Sequence, residues 1–220
     1  MKELARAAQK ISLVVLMFAS AATLTLTPSA FAVAPATAAA VAAQEKTPHQ
    51  IIEQATKELF ASVKKHNAAV KKSDEYYADI TKTLDAVVDF PFIAKAVMRK
   101  SGKTATPEQI EKFTAVFKSG LVKTYAKGIA NYADSGVKTL PSSAEAGARR
   151  LSVDQDVSEK NNVHRLSYTM AQNKAAEWKL INVVLNGVNL GDSFTSQFDQ
   201  AMIKQANDID KVIETWLSSN

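Results

Sequence analysis

Apolar residues along this chain recur at helical spacing from residue 47 to about residue 130, at every second position between residues 151 and 185, and at helical spacing again to the end. Those two periods, close to 3.6 and 2, separate helix from strand. Thr47 is placed to cap a first helix and Pro48 suits its first turn, while Ile51, Ile52, Ala55, Leu59 and Val63 fall on one face. A second helix is predicted from Ser73 to about Val88, with Tyr77, Ile80, Leu84 and Val87 inward. The segment DFPF (89–92) breaks it, and Ile93, Ala94, Val97 and Met98 begin a short third helix for which Gly102 is the expected terminator. Thr106 and Gln109 then form a capping-box pair around Pro107. In the helix they open, Ile110, Phe113, Phe117, Leu121 and Tyr125 share a stripe, with Lys112, Lys123 and Lys127 on the opposite side.

The pattern changes after NYADSG (131–136). Leu151, Val153 and Val157 alternate with Ser152, Asp154 and Asp156, and SEKNN (158–162) supplies a turn. VHRLSYTM (163–170) alternates again with Leu166, Tyr168 and Met170 on one face, and QNKAAE (172–177) makes a second turn. In WKLINVVLNGV the alternation puts Trp178, Leu180 and Val184 on one face and Ile181, Val183 and Leu185 on the other, which is the mark of a strand covered on both sides. A helix follows from Asp192, aligning Phe194, Phe198, Ala201 and Met202, and a last one aligns Ile209, Val212, Ile213, Trp216 and Leu217. Helices, an antiparallel meander of about four strands and helices again make an α+β domain, without internal repeats. The apolar surface so predicted either closes on itself or leaves a dry cavity between sheet and helices, and periodicity admits both.

The first residues belong to a different kind of segment. Lys2, Arg6 and Lys10 precede an apolar run too short and too rich in Ala and Thr to span a membrane, and Ala30 and Ala32 offer an A-x-A site. Residues 1–32 are therefore expected to be a secretory signal peptide cut after Ala32, with a cut near Ala43 as the alternative. The Ala-rich stretch 33–46 reads as a disordered leader, and 47–220 as a single domain. Removing the signal leaves 24 basic and 21 acidic residues, a formal charge of +3. That is a mild balance with no dense Lys/Arg cluster, so nucleic acid is not an expected partner. The chain contains no cysteine and so no disulfide. His49, His66 and His164 are too far apart in sequence to suggest a metal site.

Catalytic signatures are missing: there is no G-x-S-x-G elbow, no H-E-x-x-H and no P-loop. His164 shares a strand phase with Leu166 and Tyr168, which would let it enter a cavity, but no acid neighbours it in sequence. A strand-end histidine is the plainer reading. Asp154 and Asp156 read as a solvated strand face rather than a catalytic pair.

Two blocks carry a resemblance. DFPFIAKAVMRKSGKTATPEQIEKFTAVFKSGLVKTYAKGIANY (89–132) resembles the signature block of the MlaC, or toluene-tolerance, family. Phe92, Ala94, Thr106, Pro107, Gln109, Phe113, Phe117, Leu121 and Tyr125 match that motif in order. EWKLINVVLNGVNLGDSFTSQF (177–198) is similar to the family's W-K strand, G-V loop and following helix start. Asn182 and Asn189 stand where the family usually has Asp and Ser, and Met98-Arg99 where it has Leu-Gly. The resemblance covers about residues 48–217. It implies a curved antiparallel sheet packed by helices around an apolar cavity that holds diacyl phospholipid, and no cofactor. It further implies a monomeric, non-enzymatic periplasmic carrier that shuttles lipid between an outer-membrane lipoprotein–porin complex and an inner-membrane ABC-type transporter, maintaining outer-membrane lipid asymmetry. The expected lipid-binding residues are Phe92, Phe117, Leu121, Tyr125, Tyr168, Val184, Val188, Phe194 and Phe198. The alternatives are a cavity-bearing enzyme using His164 and an interaction domain without a ligand.

Overall fold

Thr47 opens the first helix through a reciprocal cap: its Oγ1 accepts from Gln50 N at 3.3 Å, and Gln50 Oε1 accepts from Thr47 N at 2.9 Å. In this computed structural model the described residues are 46–66, 73–132, 134–141, 147–159 and 162–216. The expected signal peptide with its cut site, and the leader up to residue 45, lie outside them. All described residues belong to the second of two units into which the chain divides, Gln44–Asn220.

Helix α1 spans Pro48–Lys65, α2 Asp74–Val87 and α3 Phe90–Val97. Asp89 caps α3, its Oδ1 accepting from Phe92 N at 3.0 Å, so DFPF both ends one helix and starts the next. The predicted terminator of α3 is corrected. The chain leaves the helix through Arg99, whose φ of 48° is left-handed. Gly102 instead sits inside the short helix α4, Ser101–Thr104. A Cβ there would lie 2.7 Å from Lys95 O, so glycine is needed for a close pass rather than a stop. Helix α5, Pro107–Ile129, begins with the same reciprocal cap between Thr106 and Gln109, and a 3₁₀ turn, Ala130–Tyr132, follows it.

The sheet has five strands in the order β1-β2-β3-β4-β5, each antiparallel to the next. They are β1 (Gly136–Thr139), β2 (Arg150–Glu159), β3 (Asn162–Gln172), β4 (Trp178–Leu185) and β5 (Val188–Asn189). The middle three are those predicted. The outer two escaped the sequence pattern because GVKT and VN are too short to show a period. Helix α6 runs Leu190–Lys204, two residues earlier than expected, and α7 Ile209–Thr215. Asn189 caps α6 by accepting from Asp192 N at 3.3 Å, and Asn182 Oδ1 accepts from Gly191 N at 3.1 Å. The two asparagines that depart from the family pattern thus both serve the same helix start.

Register corrects the faces assigned to β4. Thr169 pairs with Asn182 but Met170 pairs with Leu180, so Ile181 is an extra residue, a β-bulge. Below the bulge Trp178 and Leu180 share the face of Met170; above it Val183 and Leu185 take over that face, and Val184 turns to the other. One face of the sheet therefore carries Leu151, Met170 and Leu180, then Val153, Tyr168 and Val183, then Gln155, Leu166 and Leu185. The reverse face carries Asp154, Ser167 and Val184, and Arg165 pairs with Asp156 across β2 and β3 on that side.

Among the described residues the buried apolar side chains form three clusters rather than one. The first joins α3, α5, α6 and α7 through Phe113, Phe117, Phe198 and Trp216. The second sets Ile52 and Ala55 of α1, and Val87 at the end of α2, on the sheet residues Val153, Met170 and Leu180. The third packs Val63, Tyr76 and Ile80 against Val122 and Ala126 of α5.

Candidate functional site

Helix α5 is sealed on two opposite sides. Taking about 100° per residue, Val122 lies about 180° around the helix from Phe113. The two belong to different clusters, Phe113 with α6 and α7, Val122 with α1 and α2. Leu121 and Tyr125 fall at about 80° and 120°, in the quadrant between. Both are only partly buried. Phe194 of α6 leans into this quadrant, its ring meeting Tyr125 edge-on at 6.5 Å and Phe117 at 5.3 Å.

Facing the helices, the central row of the sheet carries Tyr168 between Val153 and Val183. Burial pushes the Tyr168 phenol well above the usual tyrosine range, because its charged form would be stranded away from water. Burial raises Tyr125 as well. Yet neither ring is sealed, since both keep partial exposure.

The nine expected site residues divide accordingly. Leu121, Tyr125, Phe194 and Tyr168 are partly buried, Leu121 and Phe194 packed against the first cluster and Tyr168 against the second. Phe117 and Phe198, at 1% and 0% exposure, are locked inside the first cluster. Val184 lies on the reverse face of the sheet from Tyr168, because the bulge inverted the phase. Phe92 and Val188 are on the outer surface at 51% and 45% exposure; Phe92 follows a capping Asp and projects away from the buried Phe90, Ala94 and Val97 side of α3.

A polar element went unforeseen. Gln155 is fully buried in phase with Val153 and Val157, where its Oε1 lies 3.1 Å from Thr56 Oγ1 and its Nε2 donates to Thr139 Oγ1 at 3.1 Å. The two-residue spacing from Val153 and Val157 was the available signal, masked by its polarity. His49 Nε2, near the start of α1, is a buried ring nitrogen with no partner among the described residues. His164 is half-buried beside Asn186, Nδ1 to Nδ2 3.0 Å, and meets the Tyr132 ring edge-on at 5.5 Å. The partners the structure gives it among the described residues are thus an amide and a phenol.

An open groove between α2 and α5, lined by Tyr77, Thr81, Lys118, Ser119, Val122 and Lys123, has a volume of about 240 Å³. That is below the range of about 300–1,000 Å³ usual for organic ligands, and Lys118 is engaged with both oxygens of Asp85 at 3.1 Å. No group of three or more His, Cys, Asp or Glu side chains poised for a metal occurs among the described residues, and no described helix is long and apolar enough to cross a membrane.

Comparison with known proteins converges on one family. The chain is 36% identical over 179 residues to the toluene tolerance protein ttg2D of Pseudomonas putida, covering 80% of this chain and 81% of that protein. It is 25% identical over 172 residues to the intermembrane phospholipid transport system binding protein MlaC of Haemophilus influenzae, covering 76% and 80%. The phospholipid-binding protein of Ralstonia solanacearum, solved in complex with a phospholipid, shares the fold with a TM-score of 0.69 at 21% identity, over 78% of this chain and 94% of that one. The family model described as MlaC protein matches residues 53–218, and with the capped aromatic helix and the tryptophan strand inside that span, the chain belongs to the MlaC family.

Proposed function

We propose that this protein is a non-enzymatic carrier of diacyl phospholipid, working in the periplasm after removal of its signal peptide. It takes lipid between an outer-membrane lipoprotein–porin complex and an inner-membrane ABC-type transporter, and so maintains outer-membrane lipid asymmetry. The observation that carries this reading is that Leu121, Tyr125, Phe194 and Tyr168 stay partly buried where Phe113, Phe117 and Phe198 are sealed, with the Tyr125 and Tyr168 phenols raised by burial. Membership of the MlaC family and the phospholipid named for its relatives support the same reading. On this view Phe117 and Phe198 form the backing of the wall, and Phe92 and Val188 are surface groups outside it.

Native mass spectrometry of protein purified from cells, followed by lipid extraction, tests the proposal. An added mass of one diacyl phospholipid is the expected result. Bare protein that also takes up no phospholipid from vesicles would overturn it.

A further inference from the structure

Three tyrosines have phenols raised by burial, Tyr76, Tyr125 and Tyr168, and their hydroxyls are provided for differently. Tyr76 is fully buried and donates to Ala126 O at 2.6 Å. The hydroxyls of Tyr125 and Tyr168 have no hydrogen-bond partner among the described residues. Nor are these oxygens closed off, for the one side-chain polar atom that is both sealed and unpartnered there is His49 Nε2. Tyr125 thus stands on α5 beside Phe194 of α6, and Tyr168 on the helix-facing side of the sheet, each with an O–H donor that keeps some accessible surface. Their surroundings are apolar: Phe194 beside Tyr125, and Val153 and Val183 beside Tyr168.

A donor left in such a setting costs free energy until an acceptor reaches it. Acyl chains have none, but the carboxylic esters that join them to glycerol carry two carbonyl oxygens, each a strong acceptor. Ether-linked lipids of the same shape have only the weakly accepting C–O–C oxygen. Resting on the carrier reading above, we infer that Tyr125 and Tyr168 donate hydrogen bonds to the ester carbonyls of the bound lipid, so that the site selects ester-linked diacyl lipids over ether-linked dialkyl ones. Head group then matters less to retention than linkage, and the tyrosines set how deeply the glycerol end enters.

A competition experiment decides this. Delipidated, refolded full-length mature protein is offered an equimolar mixture of diacyl phosphatidylglycerol and its di-O-alkyl analogue of equal chain length, and the retained ratio is read by mass spectrometry. A neutral hydrogen bond corresponds to roughly a three- to tenfold preference. Parent protein should retain the ester form by at least that factor, and Tyr168→Phe and Tyr125→Phe should each reduce the ratio of ester to ether lipid held per folded molecule. Tyr76→Phe, whose hydroxyl is satisfied by the protein, should lower the unfolding midpoint and leave the ratio as in the parent. Because the Tyr168 hydroxyl has no protein partner, Tyr168→Phe should not lower the unfolding midpoint of the lipid-free protein. Equal retention of the two lipids by the parent, or an undiminished preference in the Tyr125→Phe, Tyr168→Phe double variant, would overturn the inference alone. Retention of neither lipid by folded parent protein would overturn the carrier reading beneath it.

Discussion

Phe198 and Phe194 lie four residues apart on α6, and the structure gives them different tasks. Phe198 is sealed at 0% exposure, with its ring 5.0 Å from Phe113 and 6.0 Å from Trp216. A fully buried aromatic removes about 200 Å² from water, which at about 25 cal/mol/Å² is about 5 kcal/mol as an upper bound. Aromatic-to-alanine substitutions at such positions cost about 3–5 kcal/mol. In a unit of this size about 1 kcal/mol shifts the melting temperature by about 2–4 °C, so Phe198→Ala should melt about 6–20 °C below the parent. Buried Trp216 reports on that cluster, and its fluorescence during denaturant titration gives the free energy directly. On the carrier reading, folded Phe198→Ala should still carry lipid well below its melting temperature, since the side chain is sealed inside the first cluster. Phe194→Ala, only partly buried, should lose less stability and more lipid. A Phe198→Ala protein within about 1 kcal/mol of the parent, or one fully stable but empty, would refute the division between wall and backing.

Leu121→Arg should cut bound lipid more than about tenfold by placing an unpaired charge among acyl chains, while the exposed Lys123→Glu leaves it unchanged; extraction and chromatography of folded samples compare the two. Gly191→Ala should force aside Asn182, whose Oδ1 would lie 2.7 Å from the new Cβ. The cost, about 1 kcal/mol for a disturbed helix start, should shrink in an Asn182→Ala background, and a double-mutant cycle that is strictly additive would count against that contact. Asp79 is held below the usual carboxylate range by hydrogen bonds from Lys65 and His66. A depressed folded value stabilises the fold above the unfolded value near 3.8 and is lost as pH falls through the folded one. Asp79→Asn should therefore lessen the drop in urea midpoint between pH 5 and 2, and an unaltered profile would argue against the pair. Lastly, two acyl chains carry roughly 30 methylenes at about 0.8 kcal/mol each, about 25 kcal/mol, above the practical ceiling of about 18–21 kcal/mol for non-covalent affinity. Release into water is too slow to be useful, and stopped-flow transfer of a fluorescent phospholipid should speed up with acceptor concentration; a rate indifferent to it would exclude hand-over by contact.

Local chemistry was the most legible part of the sequence. The caps at Thr47 and Thr106 and the helices they start depend on residues three apart, and both formed as read. The three long strands followed from alternation over eight or more residues. What failed to show depended on partners distant in the chain. The turn of Val184 away from Tyr168 comes from a bulge defined only by pairing with β3. Similarly, the stripe read along α5 is only one of two sealed faces, because α3, α6 and α7 press on one side and α1 and α2 on the other. Hydrophobicity marked Phe117, Leu121, Phe198 and Tyr125 alike; only the neighbours separate the sealed phenylalanines from the partly buried Leu121 and Tyr125.

The bulge at Ile181 has a further consequence for design. Remove that residue from β4 and Trp178, Leu180, Val183 and Leu185 fall into uninterrupted alternation, still facing inward. The side-chain code of the strand is therefore complete without Ile181, whose insertion supplies only bend and added twist. Pattern and curvature are written independently here, as the ribs and the bow of a hull are. A deletion at this one position offers a way to flatten the sheet while keeping its inward-facing side chains.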